Sequence, residues 1–176
     1  MRLRKDVQLG FTIVEMLIVT AITTILVAFA APSFDGLIKG SALTGTTNQL
    51  FMGLQLARSE AVKSGSPVVV CPTDAPYAAE PDCNNAASWN DGWIAFVDDN
   101  KDASRASGET LLKATEAMKF GFTVTADTAV SDYVLFDSLG STRSTSNAYV
   151  SGELKLSYGD EERVISISSN GRMRVQ

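Results

Sequence analysis

Asp98, Asn100, Asp102, Ser104 and Glu109 stand at the first, third, fifth, seventh and twelfth positions of a loop, the spacing at which an EF-hand gathers oxygen ligands around calcium. Ala103 occupies the place of the glycine that makes the sharp turn, Lys101 and Arg105 add positive charge, and no helices are expected on either side. Asp and Asn crowd into loops after strands for turn reasons alone. The spacing admits calcium at the Asp98, Asn100, Asp102 loop, but no metal ligand is assigned and no cofactor is expected. The chain has no His, which removes His-based triads, His-ligated metals and imidazole acid/base schemes. Cys71 and Cys83 are too few for a four-thiolate zinc site and too far apart for a C-x-x-C redox pair. No nucleophile-base pair or phosphate loop is recognisable, so an enzyme is not expected. Two features remain: Glu15 inside an apolar run, and Arg172 and Arg174 beside the chain end.

The elements that must hold these residues begin with a basic segment, Met1 to Gly10, carrying Arg2, Arg4 and Lys5 against Asp6. Phe11 to Phe34 follows, apolar apart from Glu15 among ionisable groups. As a helix it would reach about 36 Å, enough to cross a hydrocarbon core of roughly 30 Å with the basic flank in the cytoplasm. An ordinary secretory signal cleaved after Ala28-Phe29-Ala30 is the plain rival, as is a simple single-pass anchor. Neither gives Glu15 a purpose, although a carboxylate near the bilayer centre costs roughly 2.5 to 3.5 kcal/mol.

Gly10-Phe11-Thr12-Ile13-Val14-Glu15 resembles the type III signal of type IV pilins and pseudopilins: a basic leader ending in Gly, then Phe, a hydrophobic helix, and Glu at the fifth mature position. The resemblance implies that a prepilin peptidase cuts between Gly10 and Phe11 and that the new amino terminus of Phe11 is methylated. It also implies that Glu15 neutralises the terminal ammonium of a neighbouring subunit, a pair that rewards only subunits entering in register. Pro32 falls where many pilins kink. Leu56-Ala57-Arg58-Ser59-Glu60-Ala61-Val62, then Ser66-Pro67-Val68-Val69-Val70-Cys71, resembles the GspH/FimT family of minor pilins and pseudopilins, and Trp89 to Phe96 also fits. The likeness is vague from Leu111 to Gly152. Arg58 and Glu60 read as solvated helix-face charges.

With 176 residues, 45% of them apolar, and a net charge of −5, the chain can enclose one core. Its expected parts are a leader at 1–10, a transmembrane and assembly helix at 11–35, and a periplasmic domain at 36–176 that includes the second half of the helix. Leu43, Thr47, Leu50, Leu54, Ala57 and Ala61 alternate at spacings of four and three, one face of a helix laid on a core. Gly36, Gly40, Gly45 and Gly53 each cost roughly 1 kcal/mol relative to Ala, so bending or fraying is expected around Pro32 to Gly45. Lys63, Gly65 and Pro67 mark the stop.

Short strands are expected at Pro67 to Cys71, Gly92 to Val97, Thr110 to Lys113, Lys119 to Thr125, Tyr133 to Phe136, Glu153 to Tyr158, Arg163 to Ser168 and Arg172 to Val175. Ser138 to Ser151 reads as a polar loop. The class is α+β: one long helix packed on antiparallel sheet, as in type IV pilins. If the domain lies outside the cytoplasmic membrane, Cys71 and Cys83 should form a disulfide. At the end of the chain, a two-residue Asn170-Gly171 turn mixes polar and apolar residues on both faces. A three-residue Ser169-Asn170-Gly171 loop with a bulge instead pairs Ile167 with Met173 and Ile165 with Val175, and sets Arg172 and Arg174 together on the polar face.

The favoured function is a minor type IV pilin that initiates assembly at or near the filament tip. It would sit first in the inner membrane with a periplasmic domain, then in the pilus. Its implied partners are other minor and major pilins, a tip adhesin-like protein, the prepilin peptidase and the inner membrane. Gly171-Arg172-Met173-Arg174 matches a Gly-Arg-x-Arg motif with which some family members bind DNA during transformation, so DNA binding through Arg172 and Arg174, with Arg163 and Lys155 nearby, is one alternative. A minor pseudopilin of a type II secretion system is the other.

Overall fold

The computed structural model describes residues 11–119 and 121–176, with the backbone alone at 29–35; Gly10 lies outside the described residues. The chain divides into two units, one ending at Ile38 and one running Lys39–Gln176. Helix α1, Ile13–Ser64, supplies residues to both, and its assignment continues through Pro32 and through Gly36, Gly40, Gly45 and Gly53.

In the first unit the helix begins on a capping box. The Thr12 N–H and hydroxyl donate to Glu15 Oε2 at 2.9 and 3.0 Å, and the Glu15 N–H donates to Thr12 Oγ1 at 3.2 Å. Thr20, Thr23 and Thr24 return their hydroxyls to carbonyls one turn back, which lets hydroxyl residues sit in an apolar helix without an open donor. From Phe11 to Val27 the apolar side chains all point outward unburied. Among the described residues, which at 29–35 toward the end of the expected 11–34 span include the backbone alone, no helix is long and apolar enough to cross a membrane.

In the second unit nine strands follow: β1 Val68–Pro72, β2 Gly92–Val97, β3 Leu111–Glu116, β4 Phe122–Ala126, β5 Val134–Phe136, β6 Thr142–Arg143, β7 Gly152–Tyr158, β8 Glu161–Ile167 and β9 Met173–Val175. They form a five-stranded sheet in the order β3-β2-β1-β5-β6 and a four-stranded sheet in the order β4-β7-β8-β9, every pairing antiparallel. The six helix positions picked out by spacing, from Leu43 to Ala61, are all buried, and the five apolar ones share one core with Val70, Trp93 and Phe136 of the first sheet and Leu154, Leu156, Ile165 and Ile167 of the second. The helix stops where Gly65, at φ 73°, turns its N–H back to the Ala61 carbonyl.

The first sheet is covered on its other face as well. Val69, Cys71, Ile94, Phe96 and Leu135 form a second, smaller core with Ala103, so β1 and β2 read as continuous apolar runs rather than alternating ones. Its lid is the Cys71–Cys83 segment, closed by a disulfide with the two Cα atoms 5.5 Å apart, together with the loop after β2. The stretch Ser138 to Ser151 differs from expectation, because Thr142–Arg143 adds a two-residue strand to β5 and Arg143 bridges to Tyr149.

Candidate functional site

The loop after β2 shows how its acidic residues are spent. Asp98 is fully buried; its Oδ1 accepts from the N–H groups of Lys101 at 2.7 Å and Asp102 at 3.3 Å, and its Oδ2 from Ala103 at 3.1 Å. Asn100 Oδ1 accepts from the Asp102 N–H and Asp102 Oδ1 from the Ser104 N–H. Glu109 closes the loop, accepting from the N–H groups of Asp99 at 2.9 Å and Ala106 at 2.8 Å. Burial pushes the Asp98 carboxyl above its ordinary value, with the charge of Glu109 adding to it, against three backbone donors that favour the carboxylate. Ala103 takes the left-handed conformation, φ 60°, that the spacing reserves for glycine, and its methyl group lies in the second core. Among the described residues no cluster of His, Cys, Asp or Glu is placed to hold a metal ion.

The two loops of the lid are sewn together by charge. Asp82 Oδ1 accepts from the N–H groups of Cys83 and Arg105, at 2.6 and 2.7 Å. The Arg105 guanidinium reaches Glu80 Oε2, the Pro81 carbonyl and the Glu109 carbonyl. Arg105, which read only as a charge defect in a calcium loop, is therefore the staple between the disulfide segment and the loop after β2.

The corner holding the chain end is built from three distant segments. Arg58 on α1 donates from Nε to the Gly140 carbonyl at 2.9 Å and from a terminal nitrogen to the Asn170 carbonyl at 3.3 Å. This corrects its reading as a solvated charge: it fastens the helix to the β5–β6 and β8–β9 turns. Glu60 does pair on the surface, with Lys63 at 3.2 Å. Gly171, at φ 71°, lies so close to Gly140 that an added Cβ would stand 1.8 Å from the Gly140 oxygen. Thr142 completes the joint, its N–H donating to the Ser169 carbonyl and its hydroxyl to the Ser168 carbonyl. Sequence periodicity had no way to expose the Arg58 contacts, whose partners lie 82 and 112 residues away.

From that joint β9 runs back along β8 in the bulged register: Ile167 pairs with Met173, Ser166 with Arg174 and Ile165 with Val175. Arg172 and Arg174 are exposed on the polar face, as the three-residue turn requires. Of the two residues grouped with them from sequence, Lys155 shares their face through its pairing with Val164, and Arg163 does not. Lys155 is held by Glu162 at 2.7 Å, and alternation puts Arg163 on the face of Ile165 and Ile167. Glu153 also stands on the polar face, accepting from Ser166 Oγ at 2.9 Å. The local charge is thus two arginines and Lys155 against the two carboxylates Glu153 and Glu162.

Comparison with known proteins places these features. A family model described as type II transport protein GspH matches residues 46–171, and one described as the prokaryotic N-terminal methylation motif matches residues 5–31. Among solved structures, the type IV minor pilin FimU of Pseudomonas aeruginosa is similar in two crystal forms. In one, 77% of this chain and 90% of that chain align at 23% identity with a TM-score of 0.52; in the other, 81% and 90% align at 22% identity with a TM-score of 0.55. At that identity the likeness is one of fold.

Proposed function

Because the chain belongs to the GspH/FimT family of minor pilins and pseudopilins, carrying its fold and the N-terminal methylation motif, we propose that it is a minor type IV pilin that helps initiate pilus assembly at or near the filament tip. The observation that carries this reading is the first unit of α1. Its apolar side chains are unburied, Phe11 being 85% and Ile13 81% exposed, and a surface of that kind needs lipid or other apolar helices around it. The helix serves both: it holds the chain in the inner membrane by one pass, then enters the bundle of helices in the filament.

Processing supplies the step between those states. Cleavage after Gly10 by the prepilin peptidase frees the amino group of Phe11, which is then methylated. In the single chain Glu15 is satisfied by Thr12 through the capping box, so the carboxylate has a resting partner until a neighbour's terminus arrives. Exchange of a local hydrogen bond for an ion pair inside an apolar bundle favours subunits docked in register. The other minor and major pilins and a tip adhesin-like protein are the partners that follow.

Mass spectrometry of the amino-terminal peptide of the mature protein tests the reading. The expected chain begins with methylated Phe11, whereas one beginning at Ala31 would make the apolar segment an ordinary secretory signal and remove the assembly role. The name of the matching family model favours a second reading, a minor pseudopilin of type II secretion, in which deletion of the gene abolishes secretion and leaves pili intact.

A further inference from the structure

Strand β9 is hydrogen-bonded on one side only, to β8. Val164 and Gln176 exchange both of their N–H to C=O bonds, and the Ser168 N–H donates to the Arg172 carbonyl. The alternation of an antiparallel ladder therefore turns the main-chain groups of Arg172, Arg174 and Gln176 toward β8, and those of Met173 and Val175 away from it. Two N–H donors and two carbonyl acceptors thus face away from β8, those of Val175 on a residue 39% exposed and those of Met173 on one 7% exposed, an edge that can template another strand. Flanking them, the Arg172 and Arg174 side chains enter none of the ion pairs among the described residues, while the nearby Glu162 is committed to Lys155 and Glu153 to Ser166. The edge is also held in place, since Arg58 and the Gly171–Gly140 approach fix the turn from which β9 departs.

We propose that β9 is a docking edge at which an extended, acidic segment of a neighbouring pilin subunit adds to the four-stranded sheet, pairing through Met173 and Val175 and setting carboxylates against Arg172 and Arg174. The inference rests on the subunit role proposed above and names the surface through which that role is exercised. Duplex DNA is the rival for the same arginines. DNA offers no strand to pair with the main-chain groups of Met173 and Val175, so contacts from phosphate to the arginines alone would leave those rungs unused. A second β9 is not the occupant, because antiparallel self-pairing would bring arginines of both copies together.

The test titrates the full chain in detergent micelles with three labelled probes: a peptide of alternating Val and Glu, its counterpart with Lys for Glu, and a DNA duplex. The Val and Glu peptide should bind and the other two should not. Val175→Pro removes one outward donor and leaves the bonds to β8 intact, since proline is tolerated where an edge N–H faces solvent. It should weaken the peptide by about tenfold, the loss expected for one good hydrogen bond. Arg174→Glu, which leaves the backbone alone, should shift preference to the Lys peptide. Equal peptide binding by the parent and Val175→Pro, an unchanged preference in Arg174→Glu, or displacement of the peptide by DNA would overturn the inference. In cells making the filament, normal incorporation of Val175→Pro alongside failure of Glu15→Ala would overturn the edge and leave the pilin role standing.

Discussion

Removing the Arg58 side chain withdraws donors from two turns at once. Arg58→Ala should therefore cost about 1 to 3 kcal/mol, the range for leaving hydrogen-bonding groups open at a partly buried joint, with Arg58→Lys recovering little because an ammonium cannot span both carbonyls. Chemical denaturation measures this. Gly171→Ala adds a steric reason, and should destabilise more than a residue change in an open turn would. Asp98 yields a pH prediction. Its folded value lies above the ordinary 3.8, so the native state holds the proton more tightly than the unfolded chain does. The stability this contributes is present at pH below 3.8 and is lost as the pH rises through the folded value. Asp98→Asn should flatten that part of the stability profile relative to the parent. From sequence, the loop's spacing was legible but its purpose was not: the side-chain oxygens that match a calcium pattern also match a loop that closes on its own N–H groups.

Helix α1 was legible over its whole buried face, because a spacing of three and four is set by the helix itself and needs no partner to be read. The strands were nearly as clear, and even the bulged β8–β9 register followed from demanding one apolar face. What escaped were features fixed by contacts between elements. Gly53 read as a destabilising residue, yet an added Cβ there would stand 2.1 Å from the Trp93 ring, so the glycine is what lets helix and β2 meet. Gly53→Ala should reverse the gain of about 1 kcal/mol that an exposed helix would show and become a net loss, reported by denaturation and by the Trp93 fluorescence. The strand β6 escaped for the same reason: two residues have no periodicity, and Thr142 is ordered by the distant Ser168 and Ser169 carbonyls.

For the whole molecule, Glu15→Ala should leave insertion and the fold of the second unit unchanged while reducing co-purification with partner pilins. Normal recovery of those partners would remove the assembly role of the carboxylate. The Cys71–Cys83 bond belongs to this scale too, since it fastens the lid of the second core. Without it, stability should fall by about 2 to 4 kcal/mol on denaturation, as for a native crosslink closing a short loop. The loss should be felt first in the lid, because the larger core between helix and sheets is not touched by the bond. A chain whose Cys71 and Cys83 are reduced should therefore open first over Val69, Ile94, Phe96 and Leu135, with the larger core intact. The crosslink is thus a latch on one face of the domain, and limited proteolysis of the reduced protein should cut within 71–83 while sparing the rest.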